Sequence, residues 1–202
     1  EACEDTVLRH DYSTVQALAV LSTTSHALAA ITGAQTDRMT RDDGWRLLST
    51  GRHLERLAFL ASALAAGFET GAVMDEGGFE ALLALFDSTI TFQALYQKRH
   101  DIPALLDLLV LDRDNPRSLG WVLQTLRGRL ARIEDGAARL AEALPDPKDW
   151  SLEALCARDA AGRPTRLLAL LQQCTDGALQ LSDDLTARYF THSEDARHTV
   201  GA

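Results

Sequence analysis

Apolar residues recur along this chain at the three- and four-residue spacing of an α-helix almost from end to end. Leucine and alanine dominate, β-branched runs are absent, and no segment alternates long enough to build a strand. The pattern predicts a first helix over residues 12–31, with Val15, Leu18, Leu21 and Ala29 facing inward and Gly33 as its stop. Thr40 and Asp43 read as the capped start of a long second helix over 40–66. A third follows the Gly77-Gly78 break over 79–97, and a short apolar one carries Pro103 in its first turn over 102–111. Asn115-Pro116 opens a fifth long helix over 115–144, stopped by Pro145 and Pro147. One or two turns over 151–157 precede a last long helix over 164–190.

Each long helix has an apolar stripe that must be buried, and the connections are short. The expected fold is therefore all-α: one antiparallel bundle of about five long helices plus short turns, a single domain over 1–202. Residues 12–192 form its core, and 1–11 and 193–202 read as frayed polar ends. The chain starts on Glu1 without a leader pattern, so the sequence reads as part of a longer chain.

Composition narrows the function classes. At 46% hydrophobic and 24% charged, the 202 residues resemble an ordinary globular protein. No uninterrupted apolar run reaches membrane-spanning length, the nearest being residues 57–68, which leads to the expectation of a cytoplasmic protein with no membrane partner. A net charge of −9 argues against a nucleic-acid partner, which requires a basic face. Cys3, Cys156 and Cys174 show no metal-ligand spacing and read as reduced thiols, with no metal and no cofactor expected.

The cations carry more information. Eighteen of the twenty are arginine, Lys98 and Lys148 being the exceptions. A GC-rich genome produces such a bias, but it does not produce clustering. Residues 38–56 carry net +2 and residues 112–132 net +3, which leaves −14 for the rest.

At 100° per residue, Arg41, Trp45, Leu48, Arg52, Glu55 and Phe59 fall within about 80° of one another. That places Arg52 and Glu55 on the apolar face and Arg46, Thr50 and His53 on the solvated one. Charges on an apolar face must be paired or meet a ligand. Arg52 and Glu55 could simply form an i to i+3 pair that sets register. Alternatively, Arg41, Arg52 and Arg56 offer donors to an anion, with Asp42 and Trp45 nearby and Glu55 orienting them.

The second cluster runs Asp112-Arg113-Asp114-Asn115-Pro116-Arg117. Helix capping explains Asp114, Asn115 and Pro116. It gives no reason for Asp112, Arg113 and Arg117, since arginine at a helix N-terminus needs an acid or anion beside it. On the following helix Leu119, Val122, Leu123, Leu126, Leu130 and Ile133 form the core stripe, with Trp121 roughly opposite, near Arg117, Gln124 and Arg132. Neither a Glu-x-x-His pair, nor a phosphate loop, nor a nucleophile elbow is present.

Met39-Thr-Arg-Asp-Asp-Gly-Trp-Arg46, Gly51-Arg-His-Leu-Glu-Arg56, Leu111-Asp-Arg-Asp-Asn-Pro-Arg-Ser118 and Arg188-Tyr-Phe-Thr-His192 together resemble the bacterial alpha-E domain in order and spacing, over residues 14–192. That family carries an earlier copy of the Arg-x-Leu-Glu-Arg helix, which has no counterpart before Tyr12, so the chain resembles the C-terminal part of the domain. The resemblance implies an all-helical domain encoded beside, or fused to, a circularly permuted ATP-grasp ligase, often with a transglutaminase-like protein nearby. It therefore implies an accessory module of an amide- or peptide-forming system. In that role Arg41, Arg52, Glu55, Arg56, Asp112, Arg113 and Arg117 would line one polar groove for a carboxylate or phosphate, or for the ligase itself. Two other readings stay open. One is a stand-alone enzyme with Glu55 or Asp112 as general base; the other is an interaction scaffold whose charges only set helix register.

Overall fold

The computed structural model describes residues 13–97, 100–133 and 137–190, and every regular element among them is helical. The all-α expectation is met. The chain divides into two compact units, Glu1–Trp45 and Arg46–Ala202.

The described part of the first unit is helix α1 (Thr14–Arg38) and the turn that leads into helix α2 (Asp43–Glu69). Ser13 caps α1: its hydroxyl accepts from the Gln16 amide at 3.2 Å while the Gln16 side chain accepts from the Ser13 amide at 3.1 Å. Gly33 does not stop this helix, because a glycine whose neighbours are helical costs only about 1 kcal/mol and no other breaker stands beside it. No residue of α1 is buried, and Val15, Leu18 and Leu21 stand 76%, 60% and 64% exposed, where the sequence pattern placed them inward. Among the described residues α1 is also the one helix long and apolar enough to cross a membrane by length and composition. Its Ser, Thr, Gln and His residues interrupt the apolar run without introducing charge, so a count of uninterrupted apolar residues overlooks it.

The second unit has its own core. From α2 it takes Thr50, Leu54, Leu57, Ala61, Leu64 and Phe68, a clean i, i+3, i+4 ladder. Ala72–Met74 forms a short 3-10 turn before α3 (Glu76–Leu85). Gly78 lies where a Cβ would meet the Ala72 carbonyl oxygen at 2.0 Å, so only glycine allows the two backbones this close. Thus Gly77-Gly78 lies inside the start of α3 instead of preceding it. The predicted helix over 79–97 is broken in two, since Asp87 adopts φ 48° and Ser88 reopens the chain as α4 (Thr89–Tyr96).

Helix α5 (Ile102–Leu106) is capped by Asp101 and continues as a π turn over Asp107–Leu111. The turn closes with the Asp112 amide on the Asp107 carbonyl at 2.8 Å. Tyr96 donates to Asp107 at 2.6 Å, and burial together with this bond raises the phenol pKa. Helix α6 (Leu119–Leu130) stops well short of residue 144: Ala137–Ala143 is a 3-10 segment. The six expected stripe residues of α6 and its continuation, Leu119 to Ile133, are all buried. A 3-10 turn (Pro147–Asp149), α7 (Leu152–Cys156) and α8 (Thr165–Tyr189) complete the unit, the last two close to the expected bounds. Cys156 and Cys174 are free thiols; burial pushes the Cys174 thiol up to about 12, while Cys3 lies outside the described residues.

Candidate functional site

Arg41, Asp42 and Trp45 belong to the first unit and have local tasks there. The Arg41 guanidinium donates to the Thr36 carbonyl at 2.6 Å, in the last turn of α1, where a cation meets the negative end of the helix dipole. The same group sits 4.2 Å from the Trp45 ring centroid, a cation–π contact. Asp42 accepts from the Trp45 amide at 3.0 Å and so caps α2, the role the sequence pattern gave to Thr40.

On α2 the face assignment is reversed. Arg52, Glu55 and Arg56 are exposed, and Phe59 is 55% exposed, while Thr50 is wholly buried and His53 half-buried. The helical-wheel reading started from Trp45 and Phe59 as core residues. The core instead follows the Leu54–Leu57–Ala61–Leu64 ladder, and these two rings, large as they are, lie off it. Arg52 and Glu55 are thus surface charges, where ion pairs contribute at most about 1 kcal/mol.

His53 faces α6. Its ring stacks on Trp121 at 5.8 Å between centroids and 29° between planes. Nδ1 lies 2.6 Å from the Ser49 carbonyl. A carbonyl only accepts, so Nδ1 carries the proton and Nε2 presents its lone pair. Burial, then the charges of Arg129, Arg56 and Arg52, depress the His53 pKa below its ordinary value. Although Arg56 as a whole is exposed, partial burial of its guanidinium, then the charges of Arg117 and Arg52, hold it below the usual arginine value. Arg117 pairs with Asp87 at 2.8 Å, a carboxylate delivered by the left-handed turn between α3 and α4. His53 thus joins the two Arg-rich segments, with Arg52 and Arg56 of α2 and Arg129 of the second segment around it, and Arg117 acting on Arg56.

The loop 112–118 explains how its arginines are aimed. Asp112 Oδ1 accepts from the Asp114 and Asn115 amides at 2.8 and 3.2 Å. Asn115 is buried, donating to the Leu108 carbonyl at 3.0 Å and accepting from the Arg117 amide at 3.1 Å. Ser118, bonded to the Asp112 carbonyl, accepts from the Trp121 amide at 3.0 Å and caps α6. The cap is thus Ser118, and Asn115 and Pro116 lie in the loop ahead of the helix. Asp112, a candidate base by sequence, holds the loop's own amides with one carboxylate oxygen, Oδ1. Arg113 and Arg117 go to different neighbours. Arg113 donates to the Pro147 carbonyl at 2.8 Å, while the Arg117 charge acts on Arg56.

Sequence reasoning placed His53 on the wrong face and left out Arg129. The signal for Arg129 was its register, two turns beyond Trp121 on α6. Among the described residues no group of three His, Cys, Asp or Glu side chains could hold a metal ion.

Comparison with known proteins agrees with this all-helical picture. Uncharacterized proteins of Mycobacterium bovis and of two strains of Mycobacterium tuberculosis are each 27% identical over 105 residues, covering 51% of this chain. The matched part is 12% of each relative's length. No solved structure matches. A family profile matches residues 1–190, and the chain belongs to the Alpha-E family, described as a predicted alpha-helical domain with a conserved ER motif.

Proposed function

We propose that the second unit serves as a helical accessory module of an amide-forming, ATP-grasp-type ligase system, and that the Arg52–Arg56–Arg117 face holds an anionic group there. The observation that carries this reading is the His53–Trp121 stack, which gathers arginines from two distant segments around one aromatic pair. The Glu-Arg dipeptide of this chain is Glu55-Arg56, so the family's named motif supplies one of those arginines. Arginine forks suit carboxylate and phosphate, the groups an ATP-dependent ligase handles. Asp87, itself exposed, pairs with Arg117 and would be exchanged for a stronger anion at little cost.

The ligase assignment rests on the family resemblance, and its partners would be a circularly permuted ATP-grasp protein and, secondarily, a transglutaminase-like one. We place this activity in the cytoplasm, where ATP is available. Against the general-base alternative, Asp112 Oδ1 closes its own loop. Reconstitution with a circularly permuted ATP-grasp protein tests the proposal. Arg56→Gln and Arg117→Gln should each lower amide formation by about tenfold or more with unchanged helical circular dichroism and melting temperature. Undiminished amide formation by both variants would overturn it.

A further inference from the structure

A separate cleft of about 290 Å³ is lined by Arg113, Gln124, Arg127, Asp146, Pro147 and Lys148. Small-ligand sites begin near this size. Its walls are fixed by bonds that orient the cations without neutralising them. Arg127 donates from one nitrogen to the Ala141 and Leu144 carbonyls, both at 3.1 Å. Arg113 is held by the Pro147 carbonyl at 2.8 Å. Carbonyls take up N–H donors but carry no charge to offset a guanidinium.

The lining has one carboxylate, Asp146. Its Oδ1 accepts from the Lys148 amide at 3.0 Å, and its Oδ2 stands 3.4 Å from Arg127 Nη2. Charge-assisted bonds run about 2.7–2.9 Å, so Arg127 and Asp146 form a loose pair. The Lys148 amide and the three nearby cations hold the Asp146 carboxyl below its ordinary pKa, so it is ionised at neutral pH. Three cations facing one carboxylate leave the cleft at formal +2 in a chain of net −9. Arg127 and Asp146 are 32% and 30% exposed, sheltered enough for that surplus to act on a ligand.

We propose that this cleft is an oxyanion-binding site, taking the carboxylate or phosphate of a small molecule between Arg113, Arg127 and Lys148, with Gln124 as a neutral polar neighbour. It uses none of the residues of the Arg56–Arg117 face and stands independently of the ligase reading.

The test is NMR titration of the full chain with inorganic phosphate and, separately, succinate, at constant ionic strength and neutral pH. Saturable shifts are expected at the Arg113 and Arg127 side chains and the Lys148 amide. Arg113→Gln and Lys148→Gln should each weaken binding by about tenfold. Asp146→Asn keeps the acceptor for the Lys148 amide, removes the competing charge and should tighten binding. Arg56→Gln should leave the cleft's affinity unchanged, which separates this site from the proposed ligase face. The tighter of the two probes identifies the ligand as phosphate- or carboxylate-bearing. Non-saturating shifts with both probes, or equal affinity in parent and Arg113→Gln, would overturn the assignment.

Discussion

Asn115→Ala is the most informative single perturbation of the loop that aims Arg113 and Arg117. The side chain is buried and makes two bonds in opposite directions, to the Leu108 carbonyl at 3.0 Å and from the Arg117 amide at 3.1 Å. Truncation leaves the Leu108 carbonyl beneath a residue that is itself wholly buried, with a cost of about 1–3 kcal/mol. Arg117 is half-buried, so water can reach its amide and that loss stays near 1 kcal/mol. The total is roughly 2–4 kcal/mol, a large part of the 5–15 kcal/mol of a typical domain. A melting temperature lower by about 5–15 °C follows. Urea unfolding followed by circular dichroism measures it. Asn115→Asp supplies the control: it retains the acceptor but aims a carboxylate oxygen at the Leu108 carbonyl, so its carboxyl pKa is raised in the folded state. That variant should therefore regain stability as pH falls and the group protonates. If Asn115→Ala unfolds within about 0.5 kcal/mol of the parent, the loop is not held as described.

Three other outcomes follow from the structure. Gly78→Ala should cost about 3 kcal/mol or more because its Cβ would strike the Ala72 carbonyl oxygen, whereas Gly51→Ala, open to solvent mid-helix, should stabilise by about 0.5–1 kcal/mol; parallel thermal melts check both. His53 has a folded pKa below its unfolded one, so the unfolded state binds the proton first: stability is full above pH 6.5, falls as pH drops through the unfolded value, and His53→Gln should remove that slope in urea titrations run from pH 5 to 7.5. Cys174, buried and with its thiol pushed up to about 12, should resist a thiol-reactive dye at pH 8 until the protein unfolds, unlike the half-buried Cys156.

The site was legible in part. The Arg-rich segments stood out against an acidic chain, and the demand that arginine at a helix start meet an acid or anion is answered by Asp87 for Arg117. Asp87 lies thirty residues earlier in a turn with φ 48°, which no spacing rule would select. The helix register puts Trp121 off the core stripe, and its contact is His53 within the same unit. Asp146 and Arg127 entered the second cleft only because the chain after α6 folds back in 3-10 turns.

What the sequence determined alone is the helical state, the start of the last helix at Pro164 and the Leu119–Ile133 stripe, because helix period and breakers are local properties of the chain. Tertiary packing decided which face of α2 is buried: two large aromatics, Trp45 and Phe59, lie on one face, and a ladder dominated by leucines, with more area to remove from water, prevails on the other. It also decided that Arg113 and Arg117, four residues apart, serve different neighbours. Such choices depend on which surfaces meet, and only the folded chain brings those surfaces together.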